Sequence, residues 1–381
     1  MNGIRKRIEL LTALIGALLC AWSAEAAAPA SFAGIYVAAP YRLDAQHQLP
    51  ADAYTLPEVS GVYLRLPWNA IEPVPGHFQW DIADNEVKQA VQAGKHISIA
   101  LLAGHVAPTW LEQRGVKMLT FTVEQGMQHA CNEVRLPRPW DPQFEDSYID
   151  AVNALAAHLH ALPGAYQAVR IVKLGPISQL TEELRIPMTR LPGRANAVSH
   201  ACSDTATQTW IDAGYRPELI VAAWTKIAEA IGKAFPDKLL ALDILERNDF
   251  PKIGVGGEDD PDVKASIIKA GLARFSGRFS VQWDGLTATI DAPVTVSAGR
   301  QGAITGFSTN TFRGLDGAGC NPSRQNFEAG KGAGMPCDAA GFQAILEHAL
   351  TFNARYIEVW PPDAMRFRDV VGAVNKQLSG R

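Results

Sequence analysis

Short apolar runs of strand length alternate with longer segments whose apolar residues recur every three or four positions, from about residue 34 to the end of the chain. The strand-like runs are GIYVAAP (34–40), GVYLRLP (61–67), HISIALL (96–102), AVRIVKLG (168–175), LLALDIL (239–245), FSVQWDG (279–285), AITGFST (303–309) and RYIEVW (355–360). Between them, DPQFEDSYIDAVNALAAHLHAL places Phe144, Tyr148, Val152, Leu155 and Leu159 on one helical face. WDIADNEVKQAVQAGK carries Asp81 and Asp84 early and Gly94-Lys95 at its end, which are start and stop signals. PELIVAAWTKIAEAIGKAFP and DAAGFQAILEHALTFN read as helices too. Eight strands with intervening helices predict a (β/α)8 TIM barrel, an α/β fold in one domain over residues 27–381. Long connections follow the third strand (103–140), the fourth (176–216) and the seventh (310–338). They predict long loops at the C-terminal face, where barrels of this kind build their sites.

The N-terminus changes the picture of where the protein works. Arg5, Lys6 and Arg7 precede an apolar run from Leu10 to Trp22 and a small-residue site at Ala24-Glu25-Ala26. That order predicts a signal peptide over residues 1–26 and a periplasmic or extracellular protein; the apolar run is short for a bilayer span. Lipid anchoring at Cys20 ranks second, because Leu19 is bulkier than the Gly or Ala of a lipoprotein signal. The remaining cysteines are Cys131, Cys202, Cys320 and Cys337. An even number in an exported chain predicts disulfides, and the strand map favours Cys131 with Cys202 and Cys320 with Cys337. Metal binding by these cysteines lacks the Cys-x-x-Cys or histidine spacing it needs, so no metal and no cofactor are expected.

A composition of 47% hydrophobic and 19% charged residues suits a chain that buries a full core. The net charge of −4 carries no basic excess, so nucleic acid is not an expected partner. GVGGEDD (254–260) lacks the Lys and the strand-to-helix setting of a phosphate loop and reads as a plain loop.

Alternation along the strands then picks out chemistry. If the aliphatic residues face the helices, Arg65, Lys173, Asp243, Gln282, Asp284, Tyr356, Glu358 and Trp360 point into the barrel. Charges there must be paired, so one reading is a structural ion-pair network of Arg65, Lys173, Asp243 and Glu358; the other is a site. Trp68, Trp110, Trp283 and Trp360 stand near strand ends, with His105 close to Trp110. Indole faces stack on sugar rings but also fill cores.

The stretch GVYLRLPWNAIEPVPGHFQWDIADNEVKQAVQAGKHISIALLAGHVAPTWL resembles the second and third βα units of clan A glycoside hydrolases, in particular family 42 β-galactosidase-like and family 5 cellulase-like barrels. The pieces that carry it are Arg65-x-x-Trp68, IEPVPGHFQWD and APTWL, together with ALTFNARYIEVWPPD near the C-terminus. The resemblance implies a retaining glycosidase acting on a β-linked oligosaccharide or polysaccharide, with an acid/base after strand four and a nucleophile at the end of strand seven. It points to Glu183, with Glu182 behind it, as acid/base in KLGPISQLTEELRIP. The end of strand seven, GFSTNTFRG, has Thr309 and Asn310 where the carboxylate is expected. Glu328 ranks first as substitute nucleophile, with Glu358 and Asp284 behind it. Arg65 matches the arginine that supports the nucleophile; Trp68, His105, Trp110, Asp284, Glu358 and Trp360 are the expected substrate contacts. The alternative is a barrel that has lost turnover and serves as a carbohydrate-binding or polysaccharide-processing accessory protein.

Overall fold

The computed structural model of the 381-residue chain describes residues 31–39, 49–122, 133–178, 184–188, 205–246, 250–253, 260–288, 290–309 and 338–380. The leader (1–26) and Cys20, Cys131, Cys202, Cys320 and Cys337 lie outside the described residues, as does most of GVGGEDD.

Eight parallel strands close into a barrel in the order β1-β10-β9-β8-β7-β6-β3-β2. They are β1 Gly34–Ala38, β2 Gly61–Pro67, β3 His96–Leu102, β6 Val169–Lys173, β7 Leu239–Ile244, β8 Phe279–Leu286, β9 Ile304–Thr309 and β10 Tyr356–Val359. All eight expected strands are present. They are near-continuous apolar runs because a parallel barrel strand is covered on both faces. Helices Asp81–Gln92, Pro142–Ala161, Pro217–Ala234 and Ala339–Thr351 match the helical patterns to within a few residues. Two of them start at an aspartate that caps its own helix: Asp141 accepts from the Gln143 N–H and Asp338 from the Gly341 N–H. Among the described residues no helix is long and apolar enough to cross a membrane.

One element went unread in the sequence. The long connection after β3 carries an antiparallel hairpin of β4 Met118–Thr122 and β5 Glu133–Pro137, which packs beside helix Ala206–Asp212. It thickens the C-terminal side of the barrel over β3.

Outward residues such as Ile35, Leu64, Ile99, Val172, Leu242, Val281 and Ile357 join one continuous core with the helices. Trp283 belongs to that layer and is buried. The inward set is different. At the N-terminal end, Tyr36 and Tyr356 meet edge to face at 6.4 Å, filling the barrel with rings. Gly306 makes this packing possible: a Cβ there would lie 2.2 Å from the Tyr356 ring. Above the tyrosines the interior becomes ionic.

On the outer face, Glu86 of helix Asp81–Gln92 is fully buried. Burial pushes its carboxyl from an ordinary 4.5 up to about 7, against a weaker opposing pull from the Leu49 backbone. A raised folded-state value means that the native protein binds the extra proton between those two values. Stability is therefore fully present below about pH 4.5 and falls as pH rises towards 7. Glu86→Gln should flatten that slope and be more stable than the wild type at pH 7.5 by about 2 kcal/mol, read by urea unfolding at pH 5 and 7.5.

Candidate active site

The site is built from side chains that alternation sends inward. On β6, Lys173 follows the outward Val172 and projects its ammonium into the barrel, where it is almost wholly buried. Its Nζ lies 2.9 Å from Asp243 Oδ2 and 2.7 Å from Glu358 Oε1, and it donates to Gln282 Oε1 at 2.7 Å. Burial alone would lower the lysine's pKa; the carboxylates of Asp243 and Glu358 outweigh it and hold the ammonium well above its ordinary value. A buried charge survives only with such partners.

Gln282 fixes the rest of the layer. Its Oε1 accepts from Lys173, so its Nε2 faces the acids, donating to Glu358 Oε2 at 2.8 Å, Asp284 Oδ1 at 2.7 Å and Asp243 Oδ2 at 3.2 Å. Ser98 adds a 3.2 Å bond to Glu358 Oε1. Asp243 and Glu358 are thereby buried and held on both sides. Asp284 is the exception: it is half-buried, at the end of β8 on the mouth side of this layer. Oxygens of Asp243, Asp284 and Glu358 lie within 4.8 Å of one another. That spacing suits metal ligands, but the cation already seated between Asp243 and Glu358 is Lys173.

Tyr63 carries two cations, with Lys173 Nζ 4.6 Å and the Arg65 guanidinium 4.7 Å from its ring centroid. Arg65 is buried, donates to the Ala39 carbonyl at 2.7 Å and lies 5.1 Å from the Trp360 ring. Arg65 thus sits against the aromatic side of the layer. Trp360, half-buried, donates its indole N–H to the Thr309 carbonyl at 2.9 Å. This pins the indole at the ends of β9 and β10.

Two expected contacts belong elsewhere. Trp68 is fully buried, edge to face with Trp110 at 5.8 Å and with Tyr148 at 5.4 Å. Both indole nitrogens end on one residue: Trp68 donates to Glu72 Oε2 at 2.7 Å and Trp110 to the Glu72 carbonyl at 2.8 Å. Trp68 and Trp110 are core plugs outside the barrel and offer no open face to a sugar. Their nitrogens were captured locally, which strand-end position alone does not reveal. His105 lies half-buried in the turn Gly104–Val106 just after β3. Gly104, at φ 63°, packs so closely on the Ser178 carbonyl that a Cβ would come within 2.0 Å of it, so this turn abuts the segment following β6.

Glu182, Glu183 and Glu328 lie outside the described residues. The residue after Glu183 is described: Leu184 donates its backbone N–H to the Asp243 carbonyl at 2.7 Å. Lys173 and Gln282, read from the sequence as inward-facing but not as site residues, and Tyr63 and Ser98, not singled out at all, complete the layer. Tyr63 and Ser98 share the inward parity of Arg65 and Lys173, and that was the signal available for them.

No family model matches the chain, and no curated protein matches its sequence. Solved structures do match. The catalytic domain of a beta-amylase from Paenibacillus polymyxa superposes with a TM-score of 0.58 at 13% identity, covering 92% of this chain and 99% of that one. A beta-galactosidase from the psychrophilic Marinomonas ef1 superposes with a TM-score of 0.52 at 12% identity, covering 91% of this chain and 59% of the longer enzyme.

Two measurements separate the paired layer from its surroundings. Lys173→Met leaves the acids uncompensated in the barrel and should cost about 3–5 kcal/mol in urea unfolding, whereas Asp284→Asn at the half-open position should cost less than about 1 kcal/mol. Trp68→Ala should cost about 3–5 kcal/mol in urea unfolding, and Trp360→Ala, at a half-buried position, clearly less. The closed eight-stranded parallel barrel and its superposition on these two solved structures together establish a (β/α)8 barrel fold.

Proposed function

We propose that this protein is an exported glycoside hydrolase that cleaves a β-linked saccharide with two carboxylates. The observation that carries the reading is the asymmetry of the three acids: Asp243 and Glu358 are buried on Lys173, and Asp284 is half-buried at the mouth. In glycoside hydrolysis one carboxylic acid protonates the leaving oxygen and a second carboxylate attacks or stabilises the oxocarbenium-like carbon. Asp284 takes the second role, beside the buried acids Asp243 and Glu358 but on the mouth side of them. Its Oδ1 is oriented by Gln282, which also ties it to the fixed layer. Glu183 takes the acid/base role, and the anchoring of Leu184 on the Asp243 carbonyl supports it by tying the chain after Glu183 to the end of β7. Glu328 is the alternative nucleophile. The signal-peptide pattern over residues 1–26 and the four mature cysteines support export.

A second reading has its own observation. β9 ends in Ser308-Thr309, without the carboxylate that the family resemblance calls for. A barrel that binds saccharide without turnover would have this feature.

Turnover on aryl β-glycosides and β-linked oligosaccharides distinguishes the two. Glu183→Gln should lower hydrolysis of the oligosaccharides by about 10²–10⁴-fold and of an activated aryl glycoside by much less, because only the poor leaving group needs the acid. Asp284→Asn should depress both. Saccharide binding by calorimetry with no hydrolysis by the wild type would establish the binding scaffold instead.

A further inference from the structure

The opposite, N-terminal end of the barrel is lined by cations at the starts of the strands. Lys95 and His96 open β3, Arg170 lies in β6, Lys238 precedes β7, Arg278 precedes β8 and Arg355 precedes β10. Helices of a (β/α)8 barrel direct their C-termini to this end, and some of these cations serve the carbonyls there. Arg278 donates to the carbonyls of Gly232, Phe235 and Lys238, and Lys95 donates to those of Leu56 and Val59. Lys238 pairs with Asp237 at 3.0 Å and covers the Tyr166 ring.

The other three each keep one buried nitrogen out of such bonding, although Arg355 also covers the Phe32 ring. Among the described residues, no hydrogen-bond acceptor reaches the buried Arg170 Nε, Arg355 Nε or His96 Nδ1. A buried polar atom without a partner is costly, and a bound acceptor would offset that cost. The nearby acids are already engaged: Asp237 by Tyr166 and Lys238, and Glu58 by a two-pronged contact with Arg368.

The backbone itself sets Arg170 apart. Ile97 pairs with Val169 and Ser98 with Ile171, so Arg170 is the extra residue of a bulge between β3 and β6. A bulge re-aims a side chain out of the strand's alternation. From there the Arg170 charge acts on His96 of β3, on Lys238 just before β7 and on Tyr36 inside the barrel. By strand position Arg170 and His96 stand at the same end of the neighbouring strands β6 and β3.

We propose that the bulge at Arg170, with His96 beside it and Lys95 and Lys238 flanking, is a binding site for a phosphate-type oxyanion. A planar guanidinium fork matches two oxygens of such a group, and an imidazole nitrogen and an ammonium supply further donors. The site lies at the barrel end opposite the candidate active site and is independent of it. The oxyanion comes either as a free phosphate or as the phosphate of a lipid headgroup.

The test uses the purified protein with inorganic phosphate as the probe, titrated by calorimetry and by thermal unfolding against chloride at matched ionic strength. Saturable binding should appear with phosphate, weaken by about tenfold or more in Arg170→Met and weaken in His96→Phe, and persist in Lys88→Met, an exposed cation on another face. Circular dichroism shows whether each variant is folded; if Arg170→Met is not, His96→Phe decides. Cosedimentation with phosphatidylglycerol vesicles, compared with phosphatidylcholine vesicles, separates the two sources: preferential capture of the wild type that Arg170→Met or His96→Phe abolishes identifies a lipid phosphate, and phosphate binding without capture identifies a soluble one. No stabilisation or heat beyond chloride, or an effect identical in wild type and folded floor variants, overturns the site.

Discussion

The ammonium of Lys173 is the constraint around which the barrel interior is arranged. Three carboxylates project into one interior, two of them fully buried, and buried charges of one sign persist only with a cation among them. Lys173 contacts two of the acids directly and, through Gln282, fixes the amide orientation that serves all three. Lys173, Asp243, Gln282 and Glu358 come from four different barrel strands. The layer therefore requires the barrel to be closed in the correct register, and one-residue slippage would send its charges to the helix side.

Below this layer the interior is aromatic, with Tyr36 and Tyr356 seated where glycine leaves room. Above it stand the half-buried Asp284 and Trp360. The barrel is thus graded from packed rings through a closed ionic layer to a polar mouth. In such a gradient, burial divides labour among chemically similar acids: those that hold the lysine are inaccessible, and the one nearest the mouth is bonded to the Gln282 amide but partly open. This division also reconciles the two readings of the inward charges, since a structural network and a candidate site occupy successive levels of the same interior.

Much of this was legible in the sequence. Eight apolar runs bounded by turn residues gave the barrel because strands buried on both faces leave few alternatives, and alternation correctly sent Arg65, Lys173, Asp243, Gln282, Asp284 and Glu358 inward. Alternation could not say which pairs would meet: Lys173 took Asp243 and Glu358, while Arg65 went to the Ala39 carbonyl and aromatic faces. Trp68 and Trp110 misled because a tryptophan after a strand can turn to the mouth or to the helices. Glu72 decided it, and its position four residues after Trp68 on the following turn was a local hint. The hairpin β4–β5 was hidden in a long connection although LTFT and EVRLP both alternate, a pattern too short to compete with the barrel strands around it.

The most direct test of this arrangement is the protonation state of Lys173, followed through its side-chain nitrogen by NMR from neutral to alkaline pH. Lys173 is expected to stay an ammonium beyond the pH at which an ordinary lysine titrates, because Asp243 and Glu358 hold the charge. A Lys173 that is a neutral amine near pH 7, or that titrates below an ordinary lysine, would contradict it: the acids would then not be anchored by a cation, and the lysine itself would be the reactive group of the barrel.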